Sequence, residues 1–363
     1  MRVVAAPDSF KGSISAAGAA AALASGWLQV RPGDELIQLP LADGGEGTLG
    51  VLAADAPDAR WHEVEVSGPA DAPVLAFWLE MAGNVAVVEL ATAAGLTQLS
   101  ELRPMTAHSH GVGELIADAL DTGARKIVVA LGGSACTDGG TGALAALGAR
   151  FTDAAGALLP PGGGALRKLA GIDLSGLRPP PEGGVTCLTD VRAPLLGPAG
   201  AAAVFGPQKG ANPAQVAALE AGLDRLAGLL GGDPAEPGAG AAGGCGYGLA
   251  AGWGAQLLPG AAELAAIAGL PAALEGADLV ITGEGQYDAS SESGKVVGAV
   301  RAMAAAAAPA GVPVAVVAGR VAVALPPGVR AVELAALAEG THVALADPGR
   351  WLTEAAALLA AAV

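Results

Sequence analysis

Two carboxylates and three glycines fall within the six residues Asp43-Gly44-Gly45-Glu46-Gly47-Thr48. Glycine lets a backbone turn through positive φ and approach a ligand closely. Acids set between glycines can hold a metal ion or a hydroxyl-bearing substrate. An acidic turn ahead of a helix starting at Thr48 is the plainer alternative. Comparable loops recur along the chain. Asp8, Ser9 and Lys11 lie in Pro7–Ser13, and Gly283-Glu284-Gly285-Gln286-Tyr287-Asp288 is followed by Gly294-Lys295. The longest loop, Gly132-Gly133-Ser134-Ala135-Cys136-Thr137-Asp138-Gly139-Gly140-Thr141-Gly142, precedes a helical stretch, a placement that favours anions at backbone N–H groups. It has neither the Gly-Lys-Ser/Thr ending of a P-loop nor the Rossmann glycine spacing. Asp138 in its middle points to a metal or hydroxyl contact. Asp190 ends a short strand, and Lys209 sits in the glycine-punctuated run 197–211.

Charge narrows the partners. A formal net charge of −16 argues against nucleic acid, whose phosphates demand clustered Lys and Arg. An anionic substrate must then meet a few placed cations or a bound metal. Of five lysines, three (Lys11, Lys209, Lys295) fall inside glycine-bearing motifs. Cys136, Cys187 and Cys245 are odd in number and far apart, which suits a reduced compartment without a disulfide framework. His62, His108, His110 and His342 form no metal-ligand spacing. No uninterrupted apolar span reaches membrane length, and the apolar start is too short for a signal peptide, so a cytoplasmic protein is expected.

The elements that must position these loops change character along the chain. Arg2–Ala6, a helix to about Gln29 and Glu35–Leu39 make a βαβ start, with Asp8, Ser9 and Lys11 leaving the first strand and Asp43 and Glu46 the second. In open parallel sheets ligands bind beyond the carboxyl ends of the strands. From Trp61 to Leu90, short alternating runs with turns at Gly68-Pro69 and Gly83-Asn84 read as antiparallel hairpins, the entry into an inserted domain. A helix over 106–122, a strand over 125–131 and a strand over 185–188 follow. The Gly/Ala/Pro-rich segment 231–248 reads as a mobile loop. The βαβ rhythm returns near Gly276, with strands at 278–282, 312–317, 329–334 and a candidate at 341–345, about six in all. At 363 residues, two domains are expected: 1–60 plus 275–363, and 61–274.

Taken together, Ala6–Ser13, Ala42–Thr48, Gly132–Gly140, Phe205–Ala211 and Thr282–Gly285 resemble the bacterial glycerate kinases of type 1, in the family's order and nearly end to end. The resemblance implies ATP-dependent phosphorylation of D-glycerate with Mg²⁺, leaning to 2-phosphoglycerate. It also implies an α/β protein with a flavodoxin-like parallel-sheet domain built from both chain ends, a mixed α/β domain inserted into it, and the site in the cleft between them. Phosphoryl transfer needs positioning and charge neutralisation more than covalent chemistry. On that basis Asp190 is the expected general base, with Asp138 the alternative, and Lys11 a catalytic cation. Asp8, Ser9, Asp43, Glu46, Glu284, Asp288 and Lys295 are expected to contact substrate, with Asp43, Glu46 and Glu284 holding the metal. Gly132, Gly133, Ser134, Gly139, Gly140 and Lys209 are assigned to ATP. Gln286 stands where the family usually has arginine, and if that arginine touches phosphate, one cation is missing here. A kinase for another small hydroxy or sugar acid and a non-catalytic two-lobed binding protein are the rival readings. No membrane partner is expected, and oligomeric state stays open, a homodimer included.

Overall fold

The computed structural model describes every residue except Lys11, Glu46, Asp55, Pro57, Ser293 and Gly294, so the expectations for Lys11 and Glu46 lie outside the described residues. The chain divides into two compact units. One comprises Met1–Asp43, Gly50–Pro57 and Pro259–Val363; the other comprises Gly44–Leu49 and Asp58–Leu258.

The first unit is built on a parallel sheet of Glu35–Gln38, Arg2–Ala5, Leu279–Tyr287, Val314–Val321 and Arg330–Glu333, in that spatial order. Numbered along the chain within this sheet, the order is 2-1-3-4-5, the flavodoxin-like arrangement. Alternation along the strands explains the layering, because successive side chains point to opposite faces. Val3 and Ala5 pack with Leu23, Trp27, Leu352 and Leu359 on one face, while Val4 and Ala6 pack with Leu270, Leu274, Val296 and Val300 on the other. Helices Ala16–Val30 and Pro348–Ala361 cross tightly at Gly26, where an added Cβ would lie 2.0 Å from the Thr353 carbonyl oxygen.

The second unit holds a six-stranded mixed sheet in the order Gln256–Leu258, Val185–Leu188, Lys126–Ala130, Val85–Glu89, Pro73–Met81, Arg60–Ser67. The first four run parallel, and the last three, Val85–Glu89 included, form the antiparallel hairpins that the alternating sequence announced. A two-stranded ribbon, Arg150–Thr152 with Gly171–Asp173, stands apart.

Four sequence expectations change. The candidate strand at 341–345 is the helix Thr341–Ala346, following Gly340 and burying Ala344, so the described sheet has five strands. The helix expected over 106–122 begins at His110. Segment 259–274, read as part of the insert, groups with the first unit because Ala261, Ala265, Leu270 and Leu274 fill its core. The presumed mobile loop 231–248 ends in a buried helix, Ala241–Trp253, whose first turn runs left-handed through Ala242, Gly243 and Gly244. Its glycines serve close packing: a Cβ on Gly248 would sit 2.1 Å from the Gly139 carbonyl oxygen. Among the described residues no helix is long and apolar enough to cross a membrane.

Candidate active site

The first unit carries a cavity of about 380 Å³ at the carboxyl edge of its sheet. Asp8 and Ser9 follow the first strand, and the Asp8 N–H donates to the Gly283 carbonyl at 2.8 Å, tying that loop to the neighbouring strand. Gly283 has no room for a side chain, since a Cβ would lie 2.1 Å from the Val317 carbonyl oxygen. Asp8, Ser9, Asp43, Glu284, Asp288 and Lys295 all line this one cavity, so the structure brings together every described residue that the sequence assigned to substrate.

The acids there are not equivalent. Burial pushes the Glu284 carboxyl above the usual range, reinforced by Asp288 and Asp43 and opposed by Ser291 and Lys295. Its Oε1 is buried without a hydrogen-bond partner. Asp288 is held below the usual range, first by the Ser290 hydrogen bond. Lys295 Nζ lies 3.8 Å from Glu284 Oε2 and 3.9 Å from Asp288 Oδ1. Such a split between neighbouring carboxyls marks functional sites. Arg320 also lines the cavity and was missed in the sequence, where the strand was placed at 312–317, short of its end at Val321.

Among the described residues no group of three His, Cys, Asp or Glu side chains is placed to hold a metal ion. Of the expected metal set, Glu46 is undescribed, leaving Asp43 and Glu284. Mg²⁺ needs only one or two protein carboxylates beside substrate phosphates, and the unpartnered Glu284 Oε1 with Asp43 close enough to act on it fits that requirement.

The second unit has its own cavity of about 150 Å³, lined by Gly132, Gly133, Ser134, Asp190 and Lys209 with an apolar wall that includes Leu131 and Phe205. Lys209 is buried, its Nζ donating to Ser134 Oγ at 2.9 Å and to the Cys136 carbonyl. Burial lowers the proton affinity of this lysine, partly offset by Cys136, Asp138 and Cys245. Asp190 is exposed at the end of Val185–Leu188, beside a turn in which the Val191 N–H donates to Thr189 Oγ1 at 3.2 Å.

Three assignments do not survive. Asp138 lies wholly buried and lines neither of these cavities; its carboxylate accepts from Ser109 N and Oγ, both at 2.9 Å, and from the Gly140 and Gly142 N–H groups. It organises the loop and has no face toward a substrate. The Gly139 N–H donates to the Gly243 carbonyl and that of Gly140 to Asp138 Oδ1, so neither is directed at ATP. A further acid went unread. Glu89, at the end of Val85–Glu89, accepts from the Gly47 N–H at 2.8 Å and the Leu49 N–H at 3.2 Å, and so clamps the glycine loop. Strand-end position was the available signal.

The sequence profile of the glycerate kinase family matches residues 3–363. The chain belongs to the glycerate kinase family. Glycerate kinase of Bacillus subtilis is 43% identical over 81% of this chain and 79% of its own length. Glycerate 2-kinase of Escherichia coli K12 is 42% identical over 82% of this chain and 80% of its own. An uncharacterised protein of Mycobacterium tuberculosis is 43% identical over 99% of this chain and 91% of its length. Among solved structures, a candidate glycerate kinase 2 from Salmonella typhimurium LT2 superposes with a TM-score of 0.84 at 38% identity, covering 100% of this chain and 98% of that one.

Proposed function

We propose that the chain transfers the γ-phosphoryl group of ATP to the 2-hydroxyl of D-glycerate, assisted by Mg²⁺. The observation that carries this reading is the first-unit cavity, where Asp8, Asp43, Glu284, Asp288 and Lys295 converge beyond the strands of a 2-1-3-4-5 sheet in a chain of the glycerate kinase family. The choice of the 2-hydroxyl rests on the Escherichia coli relative, named glycerate 2-kinase.

Volume divides the substrates. Small-molecule pockets span roughly 300–1,000 Å³. The cavity of about 380 Å³ suits the nucleotide, and its Leu334, Ala344 and Pro348 give an apolar wall. The cavity of about 150 Å³ is the smaller of the two and suits a three-carbon acid. The second-unit residues assigned from sequence to ATP are accordingly reassigned to glycerate: Lys209 faces its carboxylate, and Asp190 its hydroxyl. Asp43 and Glu284 would hold Mg²⁺, which when bound neutralises charge on the phosphates. Lys295 supplies a cation to the same group. Asp190 accepts the hydroxyl proton as the oxygen–phosphorus bond forms, the β–γ bridge bond breaks, and ADP leaves.

ADP release measured with ATP, Mg²⁺ and a panel of small hydroxy acids tests the reaction, with D-glycerate expected as the best acceptor. Phosphorus NMR of the product distinguishes 2- from 3-phosphoglycerate. Retained ligand binding with ADP release at background would instead describe a binding protein. Asp190→Asn is expected to cut turnover by roughly 10²–10⁴-fold with an unchanged circular dichroism spectrum. Near-normal turnover would remove Asp190 as the base.

A further inference from the structure

We propose that Arg320 supplies a cation to the first-unit cavity, contacting the phosphates of the nucleotide placed there from the strand that neighbours Gln286. This rests on the phosphoryl-transfer reading for the identity of the anion.

The warrant is register. Gln286 on Leu279–Tyr287 and Arg320 on Val314–Val321 are direct partners in the parallel ladder. Directly paired residues on adjacent strands project to the same face of a sheet and reach the same space. Both line the cavity. The strands close tightly just before this pair: a Cβ on Gly319 would lie 2.4 Å from the Gly285 carbonyl oxygen, which fixes the spacing between the two side chains. A guanidinium rooted at either position therefore serves one volume.

Charge supplies the second argument. Asp8, Asp43, Glu284 and Asp288 line the cavity, and Lys295 is already within ion-pair distance of two of them. Gln286 is committed to Asp288, donating to its Oδ2 at 3.4 Å. The Arg320 side chain is exposed and makes no hydrogen bond or ion pair among the described residues. The guanidinium is thus unspent in an acid-rich pocket, and its planar fork matches the oxygens of a phosphate or a carboxylate.

The test is a charge swap. Arg320→Gln is expected to raise the KM for ATP by about tenfold or more, the scale of a lost charge-assisted contact, with the melting temperature nearly unchanged. Adding Gln286→Arg to Arg320→Gln is expected to restore most of that loss. A rise confined to ATP identifies phosphate as the anion; a rise confined to D-glycerate overturns the proposal, because the nucleotide is the ligand placed in this cavity. Unchanged KM for both substrates in Arg320→Gln overturns the proposal, as does a double variant no better than the single one. Calorimetric titration of Mg-ATP and of D-glycerate into the parent and both variants reads the same contrasts without turnover. A wild-type chain that releases no ADP with D-glycerate would therefore sink the proposed reaction while the titrations still decide the fate of Arg320.

Discussion

Lys209 takes a positive charge into the interior of the second unit, and the protein must bear that cost wherever the amine is protonated. Burial lowers its pKa in the folded state, so between the folded and unfolded values the unfolded chain binds more protons, and stability rises with pH across that window. Below the folded value the cost is fully present. The expectation is that the parent gains stability relative to Lys209→Met as pH is raised from about 7 to about 10, read by urea denaturation at each pH. A flat difference would mean that the amine is not desolvated. The lysine also costs the variant two satisfied acceptors, Ser134 Oγ and the Cys136 carbonyl, and this offset is independent of pH. Retaining an expensive buried cation next to a small cavity is understandable if a carboxylate ligand neutralises it there.

At the scale of elements, glycine does two different jobs that composition cannot separate. In Ala241–Trp253 it permits backbone contact, and Gly248→Ala is expected to cost about 1–3 kcal/mol by forcing that helix off the Gly139 loop. Gly228, in Pro213–Leu230, has nothing within 4 Å of an added Cβ. Gly228→Ala there should stabilise by about 0.5–1 kcal/mol, and urea denaturation of the pair reads both signs. The same ambiguity explains what the sequence did and did not disclose. Period-two runs such as His62–Val66 identified the hairpin strands because alternation is written in side-chain chemistry. Segment 231–248 misled because its glycines and prolines look alike whether they loosen a loop or let two backbones touch. Residues 341–345 carry an apolar pattern too short to separate helix from strand, and only packing against the first unit's core decides it. Asp8, Asp43 and Glu284 were legible from the loops that leave the strands, and Lys295 from its place at the start of a helix. Arg320 was not, because its relation to Gln286 is a register between strands and exists only in three dimensions.

For the whole molecule, the sheet of the first unit has its central strand, Leu279–Tyr287, beside Arg2–Ala5. A fragment of residues 1–57 holds two strands and none of their partners from the other chain end, so it is expected to show a coil spectrum by circular dichroism. Residues 44–258 carry the six-stranded sheet and its core entire and are expected to unfold cooperatively as a fragment. A folded 1–57 fragment would contradict the view that the first unit depends on both ends. Order of synthesis follows from this arrangement. The second unit is complete on the ribosome before Leu279 is made, whereas Arg2–Ala5 and Glu35–Gln38 must wait unpaired on one side for some 240 residues, on the order of tens of seconds at cellular elongation rates. Alanine-rich, weakly sticky early sequence such as Ala16–Ala24 suits that wait. A message cut short between Leu258 and Leu279 yields a chain with a finished second unit and no first-unit sheet, so the cavity of about 380 Å³ is never formed.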